Sequence, residues 1–150
     1  MKNRTSATWR KTIVVLMTFV LGMLMPYLSR IPLAFTFGTP WIWNYISSTD
    51  DLLRWNGGQI FSLIPIAMFG ALYIFSSLRW GFYAAVLGHF AATSFIYHDF
   101  GLRHGPDDFL GCLVFPPMFA AASFAAGSIG LVADLIAHRK STIKTTNDTP

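Results

Sequence analysis

The sequence predicts an all-α integral membrane protein, a four-helix transmembrane bundle with both termini in the cytoplasm (N-in/C-in). Three observations support this prediction. Of the 150 residues, 53% are hydrophobic and 12% are charged, against about 25% charged in ordinary soluble domains. Four apolar runs approach the roughly 20 residues that a helix needs to cross a hydrocarbon core. The basic residues are distributed unevenly between the two sides that these runs define.

The predicted transmembrane domain covers residues 12–138, between a basic tail at 1–11 and a polar tail at 139–150. The four predicted spans lie at about 12–29, 59–78, 80–97 and 117–137. The first two contain no charged residue, and the third contains one histidine. The first span follows a basic start, as the apolar core of a signal peptide does, but no small-x-small cleavage pattern follows it. We therefore expect an uncleaved anchor.

The fourth apolar run, residues 109–137, is too long for one straight crossing. As a single helix its 29 residues would extend about 44 Å. Pro116 and Pro117 predict a break at 116–117, because proline lacks a backbone donor and restricts the residue before it. The fourth span would then begin at Pro117, after an apolar piece at the outer interface. One kinked helix is the open alternative.

The orientation follows from lysine and arginine. With a cytoplasmic N terminus, eight of the 11 basic residues lie on the inner side, as the positive-inside rule requires. This pattern is typical of a multi-pass protein of a bacterial-type inner membrane. The first outer loop, residues 30–58, is rich in aromatic residues, and Ser48 with Asp51 marks a helix start, so an interfacial helix is predicted there.

A polar stretch, YHDFGLRHGPDD at residues 97–108, separates the third and fourth spans. Imidazole and carboxylate groups suit zinc, manganese or iron, so this stretch is a candidate metal or catalytic site. The catalytic candidates here are His98, Asp99, His104 and Asp107, and the metal candidates are His98, His104 and Asp107. Their spacing is unspecific, and helix capping by Asp107 or Asp108 and by His98 explains them equally well. We expect a polar hairpin and predict no cofactor.

Two polar residues fall inside the predicted spans. His89 lies near the middle of the membrane, where a titratable group is costly, and it is the remaining catalytic candidate. Its structural alternative is a neutral histidine that is hydrogen-bonded to another helix. For Asp134 the sequence predicts an ion pair with Arg79, His138 or Arg139 near the inner surface.

Small residues recur every four positions along the fourth span and predict a helix-packing face. The members of this face are Ala122, Ala126, Gly130 and Asp134. Ser123 and Gly127 form a second small-residue pair beside it.

These features favour two hypotheses for the function. The first is a small inner-membrane protein that binds another membrane protein, or a second copy, through the small-residue face, as a subunit, assembly factor or protective factor. The alternative is an embedded enzyme or transporter that combines His89 with the outer histidines and aspartates. The single cysteine, Cys112, argues against a zinc-thiolate or disulfide enzyme. The basic residues form no stripe, so no nucleic-acid partner is predicted.

Overall fold

A computed structural model describes residues 2–28, 58–76, 78–103 and 109–147. Its regular structure within these ranges is entirely helical, which confirms the predicted all-α class. The helices are α1 (Lys2–Leu28), the short α2 (58–62), α3 (Ile64–Phe75), α4 (Trp80–Arg103) and α5 (Phe109–Asn147). The interfacial helix predicted in the first outer loop lies outside the described residues.

The helices α1, α3, α4 and α5 run antiparallel in chain order. Near the start of α1, the Lys11 ammonium donates hydrogen bonds to the carbonyls of Tyr73 and Ser76 at the end of α3, both at 2.9 Å. Near the other end of α1, Gly22 meets Gln59, which precedes α3. The beginning of α4 likewise meets the later part of α5, where Asp134 bonds to Trp80. The start of α1 and the later part of α5 therefore lie at the same end of the bundle.

Basic residues cluster at this end, which we call the basic end. It is defined by Arg10, Lys11, Arg79 and Arg139.

The second predicted span is divided at Leu63. A turn there separates α2 from α3, and the Leu63 N–H bonds to the Ile60 carbonyl at 3.1 Å. Pro65 stands in the first turn of α3, where its missing donor costs nothing because those N–H groups have no partner within the helix. Leu63 and Ile66 are both fully buried in the core. The division thus starts a new helix while Leu63 and Ile66 stay in the core.

The predicted break at Pro116 and Pro117 is wrong. Helix α5 runs from Phe109 to Asn147 with both prolines inside it. Each proline removes one hydrogen bond to the fourth residue before it, but the turns on either side keep theirs, and Pro116 is buried against the bundle. Neighbouring groups can satisfy the carbonyls that a proline frees in an apolar helix. The alternative of one helix over 109–137 is the correct one.

The bundle buries polar side chains and exposes apolar ones. Large apolar side chains such as Val20, Met68, Leu87 and Ile129 are exposed, and they come from α1, α3, α4 and α5. Buried apolar side chains, among them Phe82 and Phe119, share the interior with six buried polar ones in the described part of the chain. The buried polar residues are Gln59, Ser62, His89, Thr93, Ser123 and Asp134.

Two of the described helices are long and apolar enough to cross a membrane. These are the segments Ala7–Met25 in α1, with 19 residues, and Val114–Arg139 in α5, with 26. The apolar segments Ile64–Phe75 and Trp80–Ile96 are shorter. By length and composition, the two longer segments indicate association with a membrane.

Candidate functional site

A polar contact in the bundle interior is formed by His89 of α4 and Gln59 of α2, which we call the His89–Gln59 pair. Their side chains are 0% and 2% exposed. The Gln59 amide nitrogen lies 3.4 Å from His89 Nε2. The same nitrogen donates a 2.9 Å hydrogen bond to the carbonyl oxygen of Gly22 in α1. The pair therefore ties three helices together.

Local sequence brings these groups within reach. Gly22 has no side chain, and a Cβ there would lie 2.5 Å from Leu63 Cδ2, so a larger residue would press on the buried Leu63 side chain where α1 presents its carbonyl to Gln59. Two hydroxyls nearby bond to the backbone of their own helices. Ser62 Oγ donates to the Gln59 carbonyl at 2.7 Å, and Thr93 Oγ1 donates to the His89 carbonyl at 2.7 Å.

Aromatic rings border the imidazole. The Phe119 ring of α5 meets His89 edge-on, with centroids 6.1 Å apart and planes at 76°. The Phe90 ring lies 6.0 Å from it. Two polar atoms of the pair, His89 Nδ1 and Gln59 Oε1, are buried and have no hydrogen-bond partner among the described residues. The interior here is apolar apart from these groups, so each polar atom interacts in a medium of low dielectric.

Asp134 caps a neighbouring helix. Its Oδ2 accepts hydrogen bonds from the backbone N–H groups of Trp80 at 2.7 Å and Gly81 at 3.3 Å, the first two residues of α4. Those N–H groups have no partner within α4, and the positive end of the helix dipole favours a carboxylate there. The sequence analysis did not predict this tertiary helix cap, which forms because α4 begins beside α5. The ion pair of Asp134 with Arg79, His138 or Arg139 stays a prediction.

The small-residue face of α5, formed by Ala122, Ala126, Gly130 and Asp134, lies against α4. A Cβ on Gly88 of α4 would lie 2.7 Å from Ala126 Cβ and 2.9 Å from the Ala122 carbonyl oxygen. A Cβ on Gly130 would collide with the Trp80 carbonyl and lie 2.8 Å from Ala84 Cβ. The surface that the sequence analysis assigned to a partner is thus occupied by the chain itself.

The second small-residue pair of α5 also packs inside the bundle. Ser123 Oγ donates a 2.9 Å hydrogen bond to the Ala85 carbonyl of α4. Gly127 lies against the Phe69 ring of α3, and a Cβ there would come 2.7 Å from Phe69 Cζ. One face of α5 therefore contacts both α3 and α4.

Helix α4 places positions 98 and 99 away from His89. Positions 98 and 99 belong to α4, but position 98 is nine residues beyond His89. At 1.5 Å and 100° per residue, it lies about 14 Å farther along the helix and half a turn around it. Residues 104 and 107 lie outside the described residues, and the described side chains contain no group of three possible metal ligands.

Sequence reasoning missed Gln59 as a partner of His89. The signal was present, because Gln59 is the one amide side chain in the run 59–78. Comparisons with protein-family models, with curated proteins and with solved structures found no match to this chain.

Proposed function

We propose that this chain is a four-crossing protein of the cytoplasmic (inner) membrane that acts by binding another membrane protein, as a subunit, assembly factor or protective factor. The observation that carries this proposal is the inverted polarity of the bundle. Side chains such as Leu16, Leu87 and Ile129 are exposed, whereas Gln59 and His89 are buried. In water, apolar surface on several helices would promote aggregation, whereas hydrocarbon solvates it.

The lengths of the two helical segments between α1 and α5 agree with four crossings. Residues 58–75, which α2 and α3 cover with one turn between them, would extend about 27 Å as a helix. Helix α4 has 24 residues and extends about 36 Å. The hydrocarbon core is about 30 Å thick. Each segment therefore suits one crossing with a modest tilt.

We assign the basic end to the cytoplasmic side. Arg10, Arg79 and Arg139 are exposed there, and positive charge is enriched on the cytoplasmic side of membrane proteins. Trp9 and Trp80 are also exposed at this end, where amphipathic rings prefer the interface. The Arg79 guanidinium lies 5.5 Å from the centre of the Trp80 ring. This arrangement supports an N-in and C-in orientation.

The surface proposed for the partner is the outward face of α1. In the 18-residue apolar window of Ala7–Met25, 6% of the residues are buried, against 28% in that of Val114–Arg139, so α1 is the less enclosed of the two. Leu16, Val20 and Leu24 recur every four residues and are all exposed. The small-residue face of α5 is occupied by α4, and a transmembrane helix of another protein is therefore expected against this stripe.

Photo-cross-linking in native membranes tests this proposal. A photoreactive residue at Val20 is expected to give one discrete protein adduct, whereas the same residue at Ile129, which is exposed on α5, serves as the lipid-facing control. Lipid adducts alone at both positions would count against partner binding. Separately, reporters fused at Met1 and Pro150 should both report the cytoplasm, and opposite locations would exclude four crossings.

A further inference from the structure

Two tyrosine hydroxyls meet at the surface of the bundle near the basic end, and we call these residues the tyrosine pair. The hydroxyl of Tyr73, in the last turn of α3, lies 3.4 Å from that of Tyr83, in the first turn of α4. Tyr83 is 43% exposed. One hydroxyl donates to the other, so this contact uses one of the two O–H donors. The second O–H remains for an acceptor from outside the pair.

Two cations flank the tyrosine pair. On one side, the Lys11 ammonium of α1 lies 5.0 Å from the centre of the Tyr73 ring. Two of its three donors bond to the carbonyls of Tyr73 and Ser76, so one donor remains. On the other side, Arg79 lies one helical turn before Tyr83, whose N–H bonds to the Arg79 carbonyl at 3.1 Å. The Arg79 side chain is exposed.

The positive charge of these two cations is not neutralised by an exposed carboxylate in the described part of the chain. The one carboxylate among the described side chains is that of Asp134. It is 4% exposed and accepts hydrogen bonds from the backbone of Trp80 and Gly81. The surface beside the tyrosine pair therefore favours an anion from outside the chain.

The same surface becomes apolar away from the basic end. Arg79, Tyr83 and Leu87 recur every four residues and are all exposed. At 1.5 Å per residue, Tyr83 lies about 6 Å and Leu87 about 12 Å beyond Arg79. The surface thus changes from a cation to a hydroxyl and then to an apolar side chain. Phosphate, glycerol esters and acyl chain follow one another in the same order in a phospholipid.

We propose that the tyrosine pair, together with Lys11 and Arg79, is a binding site for one anionic phospholipid of the cytoplasmic leaflet. The lipid phosphate accepts hydrogen bonds from the two cations, and the remaining tyrosine O–H donates to a phosphate or ester oxygen. An acyl chain lies against Leu87. This proposal rests on the membrane location proposed above, but it uses no residue of the α1 stripe assigned to the protein partner.

Other sources of a phosphate suit this surface less well. Phosphatidylcholine carries a quaternary ammonium beside its phosphate, and Lys11 and Arg79 would repel that group. A free phosphate ester has no chain to cover the apolar surface at Leu87. Phosphatidylglycerol has a phosphate, no cation and two acyl chains. Basic sites between helices on the cytoplasmic side are also the usual places where anionic headgroups bind.

Quenching of tryptophan fluorescence tests the proposal, because Trp80 adjoins Arg79 and is 53% exposed. Phosphatidylglycerol with brominated chains is added to the full-length protein in phosphatidylcholine nanodiscs. The protein has five tryptophans, so the part due to Trp80 is the difference from Trp80→Phe. We expect this part to saturate with phosphatidylglycerol, whereas brominated phosphatidylcholine should quench in proportion to its fraction. Equal curves for the two lipids would overturn the proposal.

Variants separate a specific site from a diffuse attraction to the basic end. Arg79→Gln is expected to weaken phosphatidylglycerol binding about fivefold, the usual effect of one basic charge near an anionic surface. Arg139→Gln makes the same charge change at an exposed position on α5 and should bind as the parent does. If both variants weaken binding equally, the attraction is diffuse and the site is refuted.

The tyrosine hydroxyls are tested together, because either one can replace the other as the donor. The double variant Tyr73→Phe and Tyr83→Phe keeps both rings and should also weaken binding about fivefold, the effect of one hydrogen bond. Unchanged binding in this variant, shown by circular dichroism to be folded, contradicts the proposal.

Glycerol phosphate distinguishes a lipid from a free phosphate. Because it lacks acyl chains, it should not displace the brominated lipid, and displacement at similar concentrations would overturn the proposal. Cross-linking from Val20 is a separate measurement, so a failure of the lipid site is distinguishable from a failure of partner binding.

Discussion

Substitution of Gly88 by alanine tests the close packing of α4 on α5. The added Cβ would lie 2.7 Å from Ala126 Cβ and 2.9 Å from the Ala122 carbonyl oxygen. Carbon atoms pack best at about 3.5–4.0 Å, so the two carbon atoms, 2.7 Å apart, must separate by about 0.8 Å to reach the lower bound. The second contact is a backbone atom, which no rotamer change can move. The strain therefore falls on the whole interface.

The magnitude follows from two opposing effects. Replacement of glycine by alanine within a helix stabilises it by about 1 kcal/mol, and overpacking costs about 1–3 kcal/mol, with backbone contacts toward the upper end. We expect Gly88→Ala to lower the free energy of unfolding by about 1–2 kcal/mol. Gly81→Ala is the matched control at the same interface, since its Cβ would meet atoms at 3.3–3.4 Å. That variant should be neutral or slightly stabilised.

The assay is unfolding of the full-length protein in mixed micelles by titration with a denaturing detergent, followed by circular dichroism. Adding Ala126→Gly to Gly88→Ala removes the methyl contact but leaves the Ala122 carbonyl, so a partial rescue beyond additivity is expected. If Gly88→Ala proves as stable as Gly81→Ala, or if Ala126→Gly gives no coupling, the described packing of α4 on α5 is refuted.

Three further predictions concern the polar residues. Asp134→Ala leaves the N–H groups of Trp80 and Gly81 without their cap and should lower the free energy of unfolding by about 1–2 kcal/mol in the same assay. Asp134→Asn should lower it less. An unchanged free energy of unfolding in Asp134→Ala would rule out the cap. Lys11→Met removes two hydrogen bonds to carbonyls at the end of α3 and should cost about 2 kcal/mol, whereas Arg10→Gln, at an exposed position, should change little. Under the binding hypothesis, separate alanine substitutions at His98, His104 and Asp107 should leave membrane insertion and the Val20 cross-link unchanged. Loss of an activity in one of these variants, with the protein still inserted, would favour the embedded enzyme or transporter.

Several features could be predicted because they depend on neighbours along the chain. Long apolar runs predicted helices, and the described residues are helical. The recurrence of Ala122, Ala126 and Gly130 every four residues placed them on one side of a helix before any partner was known. By contrast, Pro116 and Pro117 predicted a break that α5 does not have. Their effect depends on whether surrounding groups satisfy the freed carbonyls, and this is a property of the packed bundle.

The sequence by itself determined the helical class, the membrane-like composition and the excess of positive charge at one end, because each depends on residue composition and on neighbours along the chain. Only the tertiary structure decided what the isolated polar side chains contact. Asp134 meets the first N–H groups of α4, 54 residues before it, and His89 meets Gln59, 30 residues away. Such contacts depend on the register and rotation of one helix against another. That alignment arises from packing at glycines such as Gly88 and Gly130, where the absence of a side chain lets two backbones meet.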